Sequence, residues 1–191
     1  MESIDYFELT QTVTVGQAKK WISLKDEESK ERLITLIYHL FNNRYIKHIK
    51  FADSGFLKMA VGCFMIETLE AFKQGIEDTT GKSRKMFEDF FNSEQEYFPE
   101  FKQISGDFYK SVRCGILHQA ETTDTWRILQ KNDLLNLSER TINASKFIEA
   151  LERSLDRYVR LLRINDFDSD TWKNAIKKMA AIIKNCDVRN L

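Results

Sequence analysis

A chain of 191 residues, 42% apolar and 30% charged, with a single proline at Pro99, is long enough to bury a sizeable core and too apolar to stay disordered. Its 29 Lys/Arg balance 29 Asp/Glu, so charge alone does not mark a nucleic-acid partner, although residues 1–100 carry 13 basic and 17 acidic side chains and residues 101–191 carry 16 and 12. Cys63, Cys114 and Cys186 are odd in number and widely spaced, with no signal peptide before them. That argues against a disulfide framework or a zinc site and implies a reducing, cytoplasmic setting, and with no P-loop or dinucleotide-binding glycine pattern in the chain no cofactor and no metal are expected.

Residues 1–25 carry two signals. Thr12-Val13-Thr14-Val15 favours strand and the stretch from Gln17 to Trp21 a helical turn, so the segment is read as an N-terminal arm without assigned structure. From Asp26 the pattern clears. Leu33, Ile34, Ile37, Leu40, Phe41 and Tyr45 recur at helical spacing behind the acidic turn Asp26-Glu27-Glu28, predicting a helix that ends near Ile49. His39 and His48, nine residues apart, fall on opposite sides of that helix and form no metal site.

Asp53-Ser54-Gly55 is a cap signal for a second helix, whose Phe56, Met59, Ala60, Cys63, Phe64, Ile66, Leu69 and Phe72 cover most of its surface. Lys58, Glu67 and Glu70 interrupt the run, so it reads as a buried core helix with no membrane partner. Ala60, Gly62 and Cys63 invite close approach by a neighbour. Glu67, in mid-helix, has two readings: it holds Arg113, or it reaches solvent at an edge.

Gly75 and the run Asp78-Thr79-Thr80-Gly81 mark a loop, Met86, Phe87, Phe90 and Phe91 a shorter helix, and Tyr97, Phe98 and Phe101 around Pro99 an aromatic-packed turn. A helix beginning near Gly106-Asp107 places Phe108, Val112 and Ile116 on one apolar line. Residues 126–129 and 134–137 suggest a minor β-hairpin across Lys131-Asn132-Asp133. Asn143 caps a long helix with Phe147, Leu151, Leu155, Tyr158, Val159 and Leu162 on its apolar face. Asp168-Ser169-Asp170 caps a last helix carrying Trp172, Ile176, Met179 and Ile183. The fold expected is all-α: a single domain over 1–191, an antiparallel bundle of about five long helices, with at most a minor hairpin at 126–137.

The chemistry concentrates in the segment from Phe108 to Thr122, where Arg113 and His118 are separated by four residues. A guanidinium grips phosphate oxygens bidentately, and an imidazole moves protons near neutral pH. The segment resembles the Arg-x4-6-His signature of HEPN-type domains, a superfamily of helical bundles, with Arg113 and His118 at the matching positions. The likeness spans about residues 30–165.

The resemblance implies a metal-independent endoribonuclease or RNA-binding protein, acting as a homodimer, in a defence or toxin–antitoxin system with an antitoxin protein as a further partner. Arg113 would hold the phosphate and His118 would act as acid or base. Glu67, Tyr109 and Cys114 are the supporting candidates, the last standing where many members carry Asn, Asp or His. The alternative is a non-enzymatic helical module that docks a partner protein.

Two further features bear on these readings. Five residues of regular helix turn about 500°, so Arg113 and His118 lie roughly 140° apart and one protomer is poorly arranged. Either the helix loosens at Gly115 or two copies pool their residues. Lys146, Arg153, Arg157 and Arg160 form a basic stripe, which Glu149–Arg153 and Asp156–Arg160 pairing at i, i+4 turns into a solvated, salt-bridged face.

Overall fold

The computed structural model describes residues 4–186. Both signals of the N-terminal arm are realised, one after the other. A 3-10 turn (Ile4–Tyr6) precedes a hairpin of β1 (Glu8–Thr10) and β2 (Val13–Thr14), which runs directly into α1 (Val15–Leu24). Thr14 and Gln17 exchange side-chain and backbone hydrogen bonds, 3.3 and 2.8 Å, in a capping box. Val15, Ala18 and Trp21 are buried, so the arm is part of the core.

The first long helix comprises α2 (Glu27–Phe41), a π-helical segment (Asn42–Ile46) and α3 (Lys47–Ile49). Asp26 caps it by accepting from the Ser29 amide at 2.7 Å. α4 (Gly55–Gln74) is capped by Ser54 and ends where Gly75 turns into the left-handed region at φ 65°. It packs on α5 (Ser83–Ser93), α8 (Ala144–Ile164) and α9 (Asp170–Asn185). A Cβ on Gly62 would lie 3.0 Å from the Phe147 ring, so the missing side chain is what lets α8 approach.

α6 (Phe101–Asp107), a second π-helical segment (Phe108–Arg113) and α7 (Cys114–Gln119) form another continuous rod. Phe87, Phe90, Phe91, Phe98, Phe101, Phe108 and Phe147 meet in one buried aromatic cluster, with Phe108 stacked on Phe147 at 5.6 Å. Beside it the buried carboxylates of Glu70 and Glu94 are bridged by Lys73 at 3.2 and 2.5 Å, and Arg157 reaches Glu94 at 3.3 Å.

The hairpin expected at 126–137 does not form. β3 (Arg127–Leu129) and β4 (Leu135–Asn136) instead flank a central β5 (Thr141–Asn143), parallel to β3 and antiparallel to β4. Fully buried Ile142 takes the middle position, and Asn143 then caps α8 by accepting from the Ser145 and Lys146 amides. The fold is mostly helical, at 67%, but the seven helical rods and two small sheets among the described residues differ from the expected bundle of about five long helices with at most one hairpin. No helix among the described residues is long and apolar enough to cross a membrane.

Candidate functional site around Arg113

Arg113 is delivered by the π-helical segment. A π turn closes its hydrogen bonds from i to i+5 rather than i+4, and such segments recur at functional sites. Here the Ser111 carbonyl accepts from the Thr123 amide at 2.9 Å, tying the chain that returns after α7 to the segment. Phe108 and Val112 face the core with no exposed surface, while Arg113 lies at the other side.

α7 stops at Ala120, in the left-handed region at φ 56°, and residues 121–123 double back across Gly115. A Cβ on Gly115 would stand 2.6 Å from the Glu121 carbonyl oxygen and 3.2 Å from the Thr122 Cα. Gly115 is therefore required by close backbone approach, not by a loosened helix. The loosening expected at Gly115 lies instead before Arg113, in residues 108–113, and 114–119 are regular α-helix.

Asp107 anchors the returning loop, accepting from Trp126 Nε1 at 3.1 Å and Arg140 at 2.9 Å. The buried Ser111 hydroxyl lies 2.9 Å from Asp107 and 2.8 Å from Asp124. Its bond to Asp124, with help from Lys110, holds the Asp124 carboxyl below the usual carboxylate range.

Around Arg113 the structure gathers three of the four other candidate residues. Glu67 Oε2 lies 3.4 Å from Arg113 Nη2, Cys114 Sγ lies 4.0 Å from Nη1, and the guanidinium sits over the Tyr109 ring at 5.4 Å. Glu67 is held in its turn: its Oε1 accepts from the Thr79 hydroxyl at 2.6 Å and the Ser83 hydroxyl at 2.7 Å. Of the two readings of Glu67, the carboxylate partnered with Arg113 is the one observed. Burial, then Cys114, raises the Tyr109 phenol above its ordinary value, so its hydroxyl keeps its proton. Beneath the group, burial pushes the Cys63 thiol up to about 12, against the pull of Arg113.

The guanidinium is only partly satisfied. It has five N–H donors, and its one carboxylate contact is long while its sulfur contact is weak. With 20% of its side chain exposed, it borders an open groove of about 420 Å³ between α4 and α7. The other walls are apolar, and Leu57, Phe64 and Leu117 are exposed there.

His118 stands apart. It is exposed on α7, has no hydrogen-bond or ion partner among the described residues, and is not a wall of that groove. One protomer does not unite Arg113 with His118.

The basic stripe on α8 resolves differently from its i, i+4 expectation. Neither Glu149–Arg153 nor Asp156–Arg160 forms an ion pair. Lys146 pairs with Asp133 at 3.6 Å, Arg157 with Glu94, and Arg160 approaches the Tyr97 hydroxyl at 3.5 Å. Arg160 thus takes a tertiary partner in place of Asp156, as the weakness of an exposed helical pair allows. Thr79 and Ser83 were hidden in the sequence, because nothing in a Thr-Thr-Gly loop signals that its hydroxyls reach a carboxylate sixteen or fewer residues back.

Among the described residues no group of three or more His, Cys, Asp or Glu side chains is placed to hold a metal ion. Compared with known proteins, the chain matches no family model, no curated protein and no solved structure.

Proposed function

We propose that this protein binds RNA and cleaves it through Arg113 and His118, as a HEPN-like helical protein whose two copies pool these residues. The observation that carries the reading is the state of the Arg113 guanidinium: oriented by a carboxylate that is itself fixed by two hydroxyls, yet left with unpaired donors at the edge of a groove. At 20% exposure its remaining donors lie open to the groove, where phosphate oxygens can replace water. His118 is exposed and has no hydrogen-bond or ion partner among the described residues.

The separation of Arg113 from His118 calls for a second copy. Leu57, Phe64 and Leu117 offer exposed apolar surface beside Arg113, suited to an isologous two-fold contact that would set one protomer's His118 near its partner's guanidinium. In that arrangement Arg113 grips the scissile phosphate and offsets charge developing on its non-bridging oxygens. One His118 takes the proton from the ribose 2′-hydroxyl and its symmetry mate protonates the departing 5′-oxygen. The substrate is RNA because the attacking hydroxyl is the 2′-OH that DNA lacks.

Fluorescence anisotropy with a labelled single-stranded RNA tests the binding half. Arg113→Ala should weaken binding about tenfold, the loss of one charge-assisted phosphate contact. Leu117→Asp should shift the protein to monomer in sedimentation. Equal affinity for wild type and Arg113→Ala would favour a docking module that uses the apolar groove for a protein partner.

A further inference from the structure

The π-helical segment Asn42–Ile46 changes the phase of its rod. An α-helix advances 100° per residue, whereas the wider π turn advances less, so residues on either side of it no longer follow the α-helical wheel. His39 and His48, expected on opposite sides, accordingly border the same pocket. This corrects the sequence reading of those two residues.

That pocket measures about 310 Å³ and is walled by His39, Asn43, Arg44, Lys47 and His48, with Thr10, Gln11 and Thr12 from the tip of the β1–β2 hairpin. Arg44 fastens the two parts together by donating to the Leu9 carbonyl. His48 Nε2 lies 3.0 Å from the Asn43 carbonyl oxygen, which fixes the ring.

Its charge is one-sided. Residues 33–52 contain no Asp or Glu, in a chain that carries 29 of them. None of His39, Arg44, Lys47 and His48 has a carboxylate partner among the described residues, although ion pairs are plentiful elsewhere on the surface. The carboxylates of the adjoining groove, Glu28 and Glu31, are engaged by Arg32 at 2.6 Å and Arg163 at 3.0 Å. Two permanent cations and two imidazoles thus face a polar pocket with no internal counter-charge. Such an arrangement costs self-repulsion unless an anion fills it.

We infer that the His39–Arg44–Lys47–His48 pocket binds a terminal phosphate monoester, the 5′-phosphate of a nucleotide or of an RNA end. A monoester carries about −1.5 to −2 near pH 7, against −1 for a backbone diester, and so matches two fixed cations with two protonatable rings better than a diester does. Asn43, Gln11 and the Thr10 and Thr12 hydroxyls supply neutral donors for the remaining oxygens. The volume lies at the low end of small-molecule sites, room for a phosphate with part of its nucleoside. The site is separate from Arg113 and stands independently of the reading given above.

The chain has three histidines, and His118 lies outside this pocket, so the imidazole carbon-bound protons report both regions in one NMR spectrum. The full chain is titrated with inorganic phosphate, with a 5′-mononucleotide, and with one oligoribonucleotide bearing either a 5′-phosphate or a 5′-hydroxyl. The expected result is saturable movement of the His39 and His48 signals with the three phosphorylated ligands. The 5′-phosphate should strengthen oligonucleotide binding at this pocket by about tenfold.

Comparison of the mononucleotide with the 5′-phosphorylated oligonucleotide assigns the source: equal affinity means a free nucleotide, and tighter oligonucleotide binding means an RNA end. Lys47→Ala, an exposed residue with no hydrogen-bond or ion partner among the described residues, should weaken the response about tenfold. Lys50→Ala, which loses only the 2.7 Å pair with Glu152 outside the pocket, should leave it unchanged. His39 and His48 signals that ignore phosphate, or equal affinity for the two oligonucleotides, would overturn the inference. Movement of His118 alone with the 5′-phosphorylated oligonucleotide would remove this site and leave the Arg113 reading standing.

Discussion

The two sides of the second π-helical segment follow opposite rules. On the core side Phe108 is fully buried and stacked on Phe147, and Val112 beside it is fully enclosed. On the groove side Arg113 makes one long ion contact and Leu117 is 60% exposed, and His118, beyond the groove, has no partner among the described residues. Six residues of chain thus join a region where every group is matched to one where several are not. Burial and hydrogen bonding explain the first completely. They do not explain the second, and an unmatched, oriented polar group is what a ligand would complete.

The contrast is sharpest in stability. Phe108→Ala should cost about 3–5 kcal/mol in chemical denaturation, because it deletes a packed ring and leaves a cavity. Leu117→Ser, at the groove, should change stability by no more than about 0.5 kcal/mol. A large loss at Leu117 in the isolated monomer would erase the distinction between the two sides.

Gly115→Ala comes next, at about 1–3 kcal/mol. The methyl group would press on the Glu121 carbonyl, a backbone atom that moves only if residues 121–123 lift away. The same variant should therefore expose the 121–126 loop to proteolysis.

Glu67 and Arg113 should behave as one unit. Glu67→Ala and Arg113→Ala are each expected to weaken RNA binding, and the double variant no more than Arg113→Ala alone, with a coupling of about 0.5–3 kcal/mol. Additive losses would mean that Glu67 does not position the guanidinium.

The thiols separate the two sides chemically. With its pKa pushed up to about 12 by burial, Cys63 should resist alkylation at about pH 8, while partly exposed Cys114 and Cys186 are modified before it. Mass spectrometry of the labelled protein identifies the site. The smallest effect concerns Asp124, whose lowered pKa stabilises the fold at neutral pH and ceases to do so as pH falls through its folded-state value. Lowering pH from about 6 to about 3 should therefore cost wild type more stability than Asp124→Asn, measured by the denaturant midpoint.

Much of the helical framework could be read from the sequence because its signals are local. Asp26, Ser54, Asn143 and Ser169 each cap the helix that follows them, and the apolar face read for α8 is the one it buries; on α4 Met59, Cys63, Ile66, Leu69 and Phe72 are buried as expected, whereas Phe64 is exposed. The failures were non-local. Pairing of β3 with β5 across fourteen residues has no short-range signature, and the turn chemistry at Lys131-Asn132-Asp133 suggested the nearer partner.

The two π-helical segments escaped for a related reason. A single inserted phase shift is invisible to a 3.6-residue period, and it is these shifts that place Arg113 at the groove and put His39 and His48 in one pocket. Of the candidate site, Arg113 with Glu67, Tyr109 and Cys114 was legible as a group. The hydroxyls of Thr79 and Ser83 that fix Glu67 were not.

End-group analysis of RNA incubated with the purified protein in the presence of a chelator bears most directly on the role of Arg113 and His118. Wild type is expected to leave 2′,3′-cyclic phosphate ends, and His118→Ala and Arg113→Ala to leave the RNA whole while remaining folded. Intact RNA with wild type, or equal cleavage by His118→Ala, would contradict it.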